Sequence, residues 1–309
     1  MKTFHLSHNT SPFPPPEPSV VAVGFFDGVH KGHQQVIHSA EQEAAALGVK
    51  SAVMTFDPHP SVILKKGKQQ VHYITPLREK EQIIEQLGID YLFVVRFDLT
   101  LASLSPQSFV DQFFVRLRIQ KVVAGFDFSY GFKGEGSMET LPNHAKGRFT
   151  HKVVDKVDLN EEKISSTRIR QLLDEGAVAE AGNLLGRPFY LKGELVQPPS
   201  DTGTSGESMT CIRTADYFYL PKDGTYFITI RYKEEIDYGM IVIEKSSTLH
   251  DDCSLFNLYL LSGQPSLKEK EVTVQFWGFF NESSTTTKTY SEEQNSLIVG
   301  HIQRFFGLS

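Results

Sequence analysis

Two histidines and several glycines follow a short apolar run near the start of the chain. The run Val20–Val23 is typical of a strand buried on both faces of a parallel sheet. Gly28 and Gly32 allow the backbone beyond it to approach a ligand closely, and a helix begins there. The first N–H groups of a helix lack internal partners and attract anions. Because His30 and His33 lie three positions apart, they share one helix face.

The histidine spacing is compatible with two other interpretations. Two histidines at positions i and i+3 are often part of a polar surface, and a glycine-rich turn after a strand is a weak signal on its own. A metal pair is less favoured, because no nearby cluster of cysteine or carboxylate side chains completes a tetrahedral set. We therefore expect no protein metal site at these histidines.

A second candidate site follows the apolar strand predicted over Lys50–Phe56. The sequence Asp57-Pro58-His59-Pro60 comes directly after it, and the two prolines predict an extended loop. Ligands of open α/β sheets bind at such strand ends. On its own, His59 is equally compatible with a residue that simply fills a turn.

An aromatic segment, Gly125–Gly131, follows the strand predicted over Lys121–Ala124. Its rings are compatible with core packing and its glycines with a plain loop. Asp127 offers a polar contact at the end of the strand, whereas Phe128 is better suited to packing.

A further helix start lies in Ile164–Arg170. Ser165 or Ser166 can cap its first turn, and Thr167 and Arg168 lie at its positive end with free backbone N–H groups. A plain N-cap would explain the serines without any function. Together with the histidine pair, however, the segment predicts a second phosphate-binding helix start.

The arrangement of these segments predicts the fold. Apolar strands alternate with amphipathic helices, which indicates an α/β class fold with a doubly wound parallel sheet. Further helices are predicted at 75–87 and 107–116, and further strands at 91–97 and 153–157. After a loop at 198–206, strands are predicted at 216–220, 225–232, 239–245, 256–261 and 271–279, and a helix at 295–306. This second part predicts a small β-barrel with a C-terminal helix.

Length and composition set limits on the function. A chain of 309 residues is long enough for two domains, and its 40% hydrophobic and 22% charged residues are typical of a globular protein. Residues 1–190 carry equal numbers of acidic and basic side chains, so the formal net charge of −6 lies in 191–309. We expect neither a nucleic-acid nor a membrane partner. Two distant cysteines and a proline-rich start without a signal peptide predict a cytoplasmic location.

The motifs, taken in order, resemble those of the bacterial FAD synthetase (riboflavin kinase/FMN adenylyltransferase) family, a branch of the His-x-Gly-His nucleotidyltransferase superfamily. The matching segments are Gly24–His33, Phe56–Pro60, Gly125–Gly131, Ile164–Arg170 and Leu184–Phe189, with Tyr130 where the family usually has Phe. The resemblance covers about three-fifths of the chain. It implies that FMN attacks the α-phosphorus of ATP to give FAD and pyrophosphate, with Mg²⁺ held mainly by the phosphates and water.

The resemblance also implies roles for individual residues and the domain boundaries. His30, His33 and Arg168 would be catalytic; Gly24, Phe26, Asp27, Gly28, Gly32, Ser165, Ser166 and Thr167 would bind ATP and its phosphates; His59, Pro60, Asp127, Phe128 and Tyr130 would line the flavin and adenine pocket. The adenylyltransferase domain would span residues 1–188 and a riboflavin kinase-like barrel residues 189–309. A homo-oligomer is possible but not indicated.

The barrel part departs from the family's kinase motifs. Where the family has Gly-Phe-Pro-Thr-Ala-Asn, this chain reads Gly206-Glu207-Ser208-Met209-Thr210-Cys211, and Asn257 replaces the catalytic Glu. The phosphate loop between residues 195 and 205 is also missing. We therefore expect an FMN adenylyltransferase that has lost riboflavin kinase activity. The alternatives are a bifunctional enzyme with a divergent kinase site and a flavin-binding regulatory protein.

Overall fold

In the computed structural model, the chain divides into two units, Met1–Ser166 and Thr167–Ser309. The structure describes residues 1–8, 16–64, 71–156, 158–159, 162–196, 210–214, 217–232, 234–244, 248–249, 253–262, 271–280 and 292–308. The boundary between the units falls after Ser166, which is the first residue of a helix, whereas the motifs predict a domain boundary after Pro188. That boundary stays a prediction.

The first unit alternates strands with helices, as the sequence predicts. Its elements are β1 (Lys2–Leu6), β2 (Ser19–Val23), α1 (Lys31–Leu47), β3 (Lys50–Asp57), α2 (Pro60–Leu64), α3 (Leu77–Gln86), β4 (Tyr91–Arg96), α4 (Leu99–Ala102), α5 (Pro106–Val110, continued as a π-helical turn over Asp111–Val115), β5 (Ile119–Gly125), β6 (Ser129–Tyr130), β7 (Gly136–Ser137), α6 (Leu141–Ala145), β8 (Thr150–Val154), β9 (Asp158–Leu159) and β10 (Glu162–Lys163).

The main sheet of this unit is parallel throughout, in the order β1-β4-β3-β2-β5-β8. The chain adds β3 and β4 on one side of β2 and later adds β5 and β8 on the other side. The direction of winding therefore reverses between β2 and β5. In open α/β sheets, ligands bind at the carboxyl ends of the strands beside this reversal.

Both faces of the sheet are covered, which confirms the doubly wound prediction. Successive side chains of a strand point to opposite faces. Accordingly, Val21 and Val23 of β2 pack in one apolar cluster with Phe109 and Phe113 of the α5 segment. The neighbouring residue Val20 belongs to a second cluster, formed with α1 and α3.

The two edge strands are where the sequence predictions fail. β1 was not predicted, and β8 spans Thr150–Val154 rather than 153–157. Edge strands are exposed to water and do not need a continuous apolar run. The register of β8 is instead fixed by parallel pairing with β5, in which Lys121 lies opposite Thr150 and Gly125 opposite Val154.

The second unit begins with helices and continues as a barrel. Its elements are α7 (Ser166–Glu175, whose first residue belongs to the first unit), α8 (Val178–Leu185), β11 (Tyr190–Val196), β12 (Thr210–Thr214), β13 (Gly224–Tyr232), β14 (Glu235–Ile243), β15 (Thr248–Leu249), β16 (Cys253–Leu260), β17 (Glu271–Phe280) and α9 (Glu292–Phe306). The strands run in the order β12-β11-β17-β13-β14-β16, and pairing of β12 with β16 closes the ring. The predicted barrel with a C-terminal helix is therefore confirmed.

The period-2 pattern in β13 determines which side chains fill the barrel. Tyr226, Ile228 and Ile230 are fully buried at alternate positions. Phe227, on the opposite face, is covered by α9, where its ring stacks on that of Phe305 with centroids 4.0 Å apart. The barrel is therefore a packed core, with its C-terminal helix on the outer face of β13 and β14.

In the second unit, the strand predicted at 216–220 is wrong over residues 217–220, where Phe218 forms only an isolated bridge. Phe218 is nevertheless buried, so its aromatic character reflects core packing and not a strand. The predicted loop at 198–206 and residues 206–209 of the expected kinase motif lie outside the described residues.

Closure of the barrel requires glycine where two strands approach closely. A Cβ at Gly239 of β14 would overlap the carbonyl oxygen of Tyr259, which cannot move without disrupting β16. We expect Gly239→Ala to lower the free energy of unfolding of the second unit by about 1–3 kcal/mol. Urea denaturation followed by fluorescence measures this, because the only tryptophan of the chain, Trp277, lies on β17.

Gly300→Ala in α9 is the matched control, since a Cβ at Gly300 would meet no atom within 4 Å. Alanine favours a helix interior over glycine by about 1 kcal/mol, so this variant should be as stable as the parent or more so. Equal stability of Gly239→Ala and the parent would contradict the close approach of β14 and β16.

Candidate active site

The connection from β2 to α1 has an unusual backbone conformation. Phe26, Gly28 and Val29 all have positive φ angles, of 53°, 89° and 39°. A β-branched residue such as Val29 adopts this region only where the surroundings enforce it, and such strain tends to occur at functional sites. The connection, residues 24–30, lies at the carboxyl end of β2 and is called the β2–α1 loop below.

His30 forms the N-cap of α1. Its ring is buried, and its Nδ1 accepts a hydrogen bond from the backbone N–H of His33 at 3.2 Å. In the neutral ring the proton therefore lies on Nε2, which can act as a donor. Gly32 leaves room for this ring, because a Cβ there would lie 3.2 Å from its Cε1 and Nδ1.

His33 lies directly against His30. The two imidazole rings are stacked with centroids 3.5 Å apart, and Phe26 meets His33 edge-on at 5.3 Å. The Nδ1 atom of His33 is buried and has no hydrogen-bond partner among the described residues. Burial, together with the nearby His30 and Lys80, holds the pKa of His33 well below its ordinary value. Without a ligand, the ring is therefore neutral at pH 7.

Asp27 anchors the β2–α1 loop. Its buried carboxylate accepts hydrogen bonds from the backbone N–H groups of Ile74 and Thr75, at 3.3 and 3.0 Å. Its carbonyl oxygen accepts a hydrogen bond from the Ser166 hydroxyl at 2.8 Å. These contacts give Asp27 a structural role, and the predicted contact with ATP stays a prediction.

The same hydrogen bond brings the start of α7 to the β2–α1 loop. Ser166 is the first residue of α7, and its hydroxyl donates to Asp27 and not to the backbone of its own helix. Ser165, half-buried, precedes it. Thr167 is exposed and Arg168 half-buried in the next positions of α7. The structure thus joins Ser166 to the histidine loop, while Thr167 and Arg168 belong to the second unit.

Two side chains beside the loop, those of Thr55 and Lys80, were missed by the sequence analysis. The Phe25 carbonyl accepts hydrogen bonds from the Thr55 hydroxyl and from the Lys80 ammonium group, both at 2.9 Å. Lys80, from α3, is almost fully buried. Only the helical position of Lys80, in a predicted amphipathic helix, could have indicated burial, and a lysine is rarely buried.

The segment after β3 differs from its prediction. The two prolines do not produce an extended loop throughout, because Pro60 begins the short helix α2, where a proline at the first position costs no hydrogen bond. His59 is half-buried, its Nδ1 accepts from the Ser61 N–H, and its ring meets that of Phe25 edge-on at 4.3 Å. His59 therefore lies beside the β2–α1 loop.

The aromatic segment after β5 divides into packed and exposed residues. Tyr130 is buried in the core of the sheet, and its hydroxyl lies 2.8 Å from Nδ1 of His144. Phe128 stacks on Tyr130, in agreement with the packing expected for it. Asp127 is exposed at the strand end. Phe126 is also exposed, and the ammonium group of Lys156 lies over its ring, 4.7 Å from the centroid. Phe126 was not predicted as a site residue.

The predicted kinase positions lie on paired barrel strands. Cys211 of β12 is opposite Asn257 of β16, and its thiol lies 3.5 Å from the amide oxygen of that side chain. Burial raises the pKa of Cys211 to about 11, so the thiol is protonated at neutral pH. Neither side chain can act as a general base.

Among the residues that the structure describes, no three His, Cys, Asp or Glu side chains are grouped in a way that could hold a metal ion. None of the described helices is both long enough and apolar enough to cross a bilayer.

Comparison with known proteins identifies the family. The family profile described as FAD synthetase matches residues 13–168. A bifunctional riboflavin kinase/FMN adenylyltransferase of Listeria monocytogenes is 42% identical, over 91% of this chain and 90% of the relative. Its counterpart from Bacillus subtilis is 39% identical, over 81% and 80%.

A solved structure from Streptococcus pneumoniae, described as a macrolide-efflux protein, has a TM-score of 0.81 and 26% identity, and the match covers 100% of this chain and 98% of that one. The profile match ends at Arg168, and the two relatives extend the similarity well beyond it. The chain therefore belongs to the FAD synthetase family and is an FMN adenylyltransferase, a nucleotidyltransferase that makes FAD from FMN and ATP.

Proposed function

We propose that adenylyl transfer takes place at the β2–α1 loop and that the barrel unit no longer phosphorylates riboflavin. The observation that carries the first part is the stacked pair of His30 and His33 at the N-terminus of α1, beside the point where the sheet reverses. The positive end of a helix and two imidazole donors at one point suit the phosphates of ATP.

The histidine pair would respond to the charge of ATP. In the free protein the pKa of His33 is lowered, first by burial. A bound polyanion stabilises the protonated ring, so His33 would take up a proton as ATP binds. Its unpartnered Nδ1 would then donate to a phosphate oxygen, and His30 would donate through Nε2.

The start of α7 would complete the site. Ser166 contacts the loop directly, and Thr167 and Arg168 follow it in the chain. We propose that these residues hold the phosphates that leave as pyrophosphate, with Arg168 supplying a planar, permanently charged group. Gly24 and Gly28 in the loop and Gly32 in the first turn of α1 would allow the close approach of ATP.

The reaction needs no covalent enzyme intermediate. The FMN phosphate attacks the α-phosphorus of ATP, and the protein contributes position and charge stabilisation. His59, Pro60, Asp127, Phe128 and Tyr130 are proposed to border the flavin and adenine. Mg²⁺ would enter with ATP, held by phosphate oxygens and water, since this ion commonly keeps several waters.

For the barrel unit, we propose a retained fold without kinase chemistry. An amide such as Asn257 cannot accept the proton of the riboflavin 5′-hydroxyl as a carboxylate does. The thiol and the amide at these positions contact each other. The second candidate is a bifunctional enzyme, because both relatives are described as bifunctional riboflavin kinase/FMN adenylyltransferases.

The remaining proposals concern organisation and location. We propose that residues 1–188 form the adenylyltransferase domain and residues 189–309 the kinase-like domain. The two cysteines of the chain need no oxidising environment, which agrees with a cytoplasmic enzyme.

We expect His30→Ala and His33→Ala each to lower FAD formation from FMN and ATP tenfold or more, because a charge-assisted hydrogen bond to phosphate contributes about 1.5–3 kcal/mol. The assay separates FMN from FAD by chromatography. His38→Ala is the control, as His38 lies on the exposed side of the same helix. Near-parental turnover in both His30 and His33 variants would contradict the proposed phosphate site.

Arg168→Ala should raise the KM for ATP and lower kcat, because it removes positive charge from the proposed pyrophosphate site. Arg168→Lys should restore only part of the activity, since lysine offers a point charge in place of a planar fork. Arg213→Ala, at an exposed ion pair of the barrel, is the control. If Arg168→Ala matches the parent, α7 does not hold the leaving group.

Supplied with riboflavin, ATP and Mg²⁺, the protein should form no FMN, although the same preparation converts added FMN to FAD. Asn257→Glu alone should not restore kinase activity, because the metal-binding and phosphate loops of the family are also absent from the sequence. Time-dependent FMN formation by the purified parent, above a control without enzyme, would establish the bifunctional alternative.

A further inference from the structure

A buried lysine donates a hydrogen bond to the backbone of the β2–α1 loop. Lys80 of α3 is 2% exposed, and its ammonium group donates to the Phe25 carbonyl at 2.9 Å and to the Thr55 hydroxyl at 3.3 Å. The ammonium group also lies 4.5 Å from the centroid of the Phe25 ring. No carboxylate among the described residues lies within ion-pair distance of it.

Burial of the Lys80 ammonium group lowers the stability of the folded protein, so stability does not explain why a lysine is present here. Removing an ammonium group from water costs several kcal/mol, and hydrogen bonds to neutral groups recover only part of it. A methionine would fill the same volume without that cost. A buried charge that forms no ion pair with the described residues, and on which the carboxylates of Asp27 and Asp57 act only from a greater distance, therefore suggests a role in function.

The contacts of Lys80 explain what that role is. Hydrogen bonds hold the loop at three of its residues. The Gly24 N–H donates to the Met54 carbonyl, and the Phe25 carbonyl accepts from Thr55 and Lys80. The Asp27 carboxylate accepts from the backbone amides before α3. Lys80 thus fixes the strained residues that lead to His30. The Phe25 ring under its ammonium group also contacts His59, which links the loop to the segment after β3.

We propose that Lys80 is a positioning residue for adenylyl transfer, which holds the Phe25 carbonyl so that the β2–α1 loop presents His30 and His33 to ATP and adds a fixed positive charge beneath that site. The inference rests on the proposed ATP site at this loop.

The charge of Lys80 gives the role a pH signature. Burial lowers the pKa of Lys80 to about 8, opposed by the carboxylates of Asp27 in the loop and Asp57 at the end of β3. From α1, His33 also faces this group, since Lys80 lowers its pKa. The group is an ammonium below pH 8 and a neutral amine above it, so its contribution is lost as the pH rises through about 8.

Lys80→Met tests the inference. We expect kcat/KM for ATP at pH 7 to fall about tenfold or more, with a melting temperature equal to or above that of the parent, because a buried charge has been replaced by an apolar chain of similar volume. For the parent, kcat/KM for ATP should fall more steeply once the pH rises through about 8, in addition to the fall caused by proton uptake at His33, and Lys80→Met should lack this additional fall.

Two further variants separate charge from contact. Lys80→Arg stays charged, so it should retain more activity than Lys80→Met and lose the additional fall near pH 8. Thr55→Val removes a hydroxyl but keeps the ammonium group, so it should weaken activity and keep the pH profile. Lys50→Met, at the opposite end of β3 in an exposed ion pair, is the matched control and should behave as the parent.

The outcomes are distinct. Unchanged kcat/KM and pH profile in Lys80→Met, with the His30 and His33 variants inactive, would overturn the inference and leave the proposed site in place. If the histidine variants are also fully active, the proposed site itself is wrong. If Lys80→Met proves unstable, an unaltered high-pH decline in a folded Lys80→Arg variant would refute the role of the charge.

Discussion

The hydrogen bonds of Phe25 and Asp27 are the constraint on which the site depends. They fasten the loop after β2 to β3, to the start of α3 and to Ser166, which come from distant parts of the sequence. With these contacts in place, Phe26 and Val29 can keep positive φ angles that neither residue adopts readily. The stacked histidines follow from this backbone conformation.

The polar anchoring also explains why the histidines suit a polyanion. Burial, His30 and Lys80 lower the pKa of His33, so the free site does not carry two adjacent imidazolium charges. In the proposed ATP complex, the negative charge of the phosphates would stabilise the protonated ring and so reverse this balance. The positive charge of His33 would thus appear mainly when the ligand is present, whereas Lys80 is charged at pH 7 in the free protein as well.

Much of this architecture could be predicted from the sequence, and the failures have physical reasons. The central strand and the loop after it have a clear apolar run and glycines, so the strand over Val20–Val23 and the helix that follows His30 were predicted correctly. The edge strands β1 and β8 lack such runs, because pairing and not burial defines them. Lys80 and Thr55 could not be recognised, since their partner is a backbone carbonyl, which leaves no signature in the sequence. Asp127 and Tyr130 differ in exposure, a property that motif resemblance does not reveal.

The central claim is that the β2–α1 loop binds the phosphates of ATP. A crystal structure with a non-hydrolysable ATP analogue, such as α,β-methylene ATP, tests it most directly. The account predicts phosphate oxygens within hydrogen-bond distance, about 2.7–3.2 Å, of nitrogen atoms of His30 and His33 and of the first backbone N–H groups of α1. A triphosphate bound elsewhere, with both imidazoles free of contact, would contradict it.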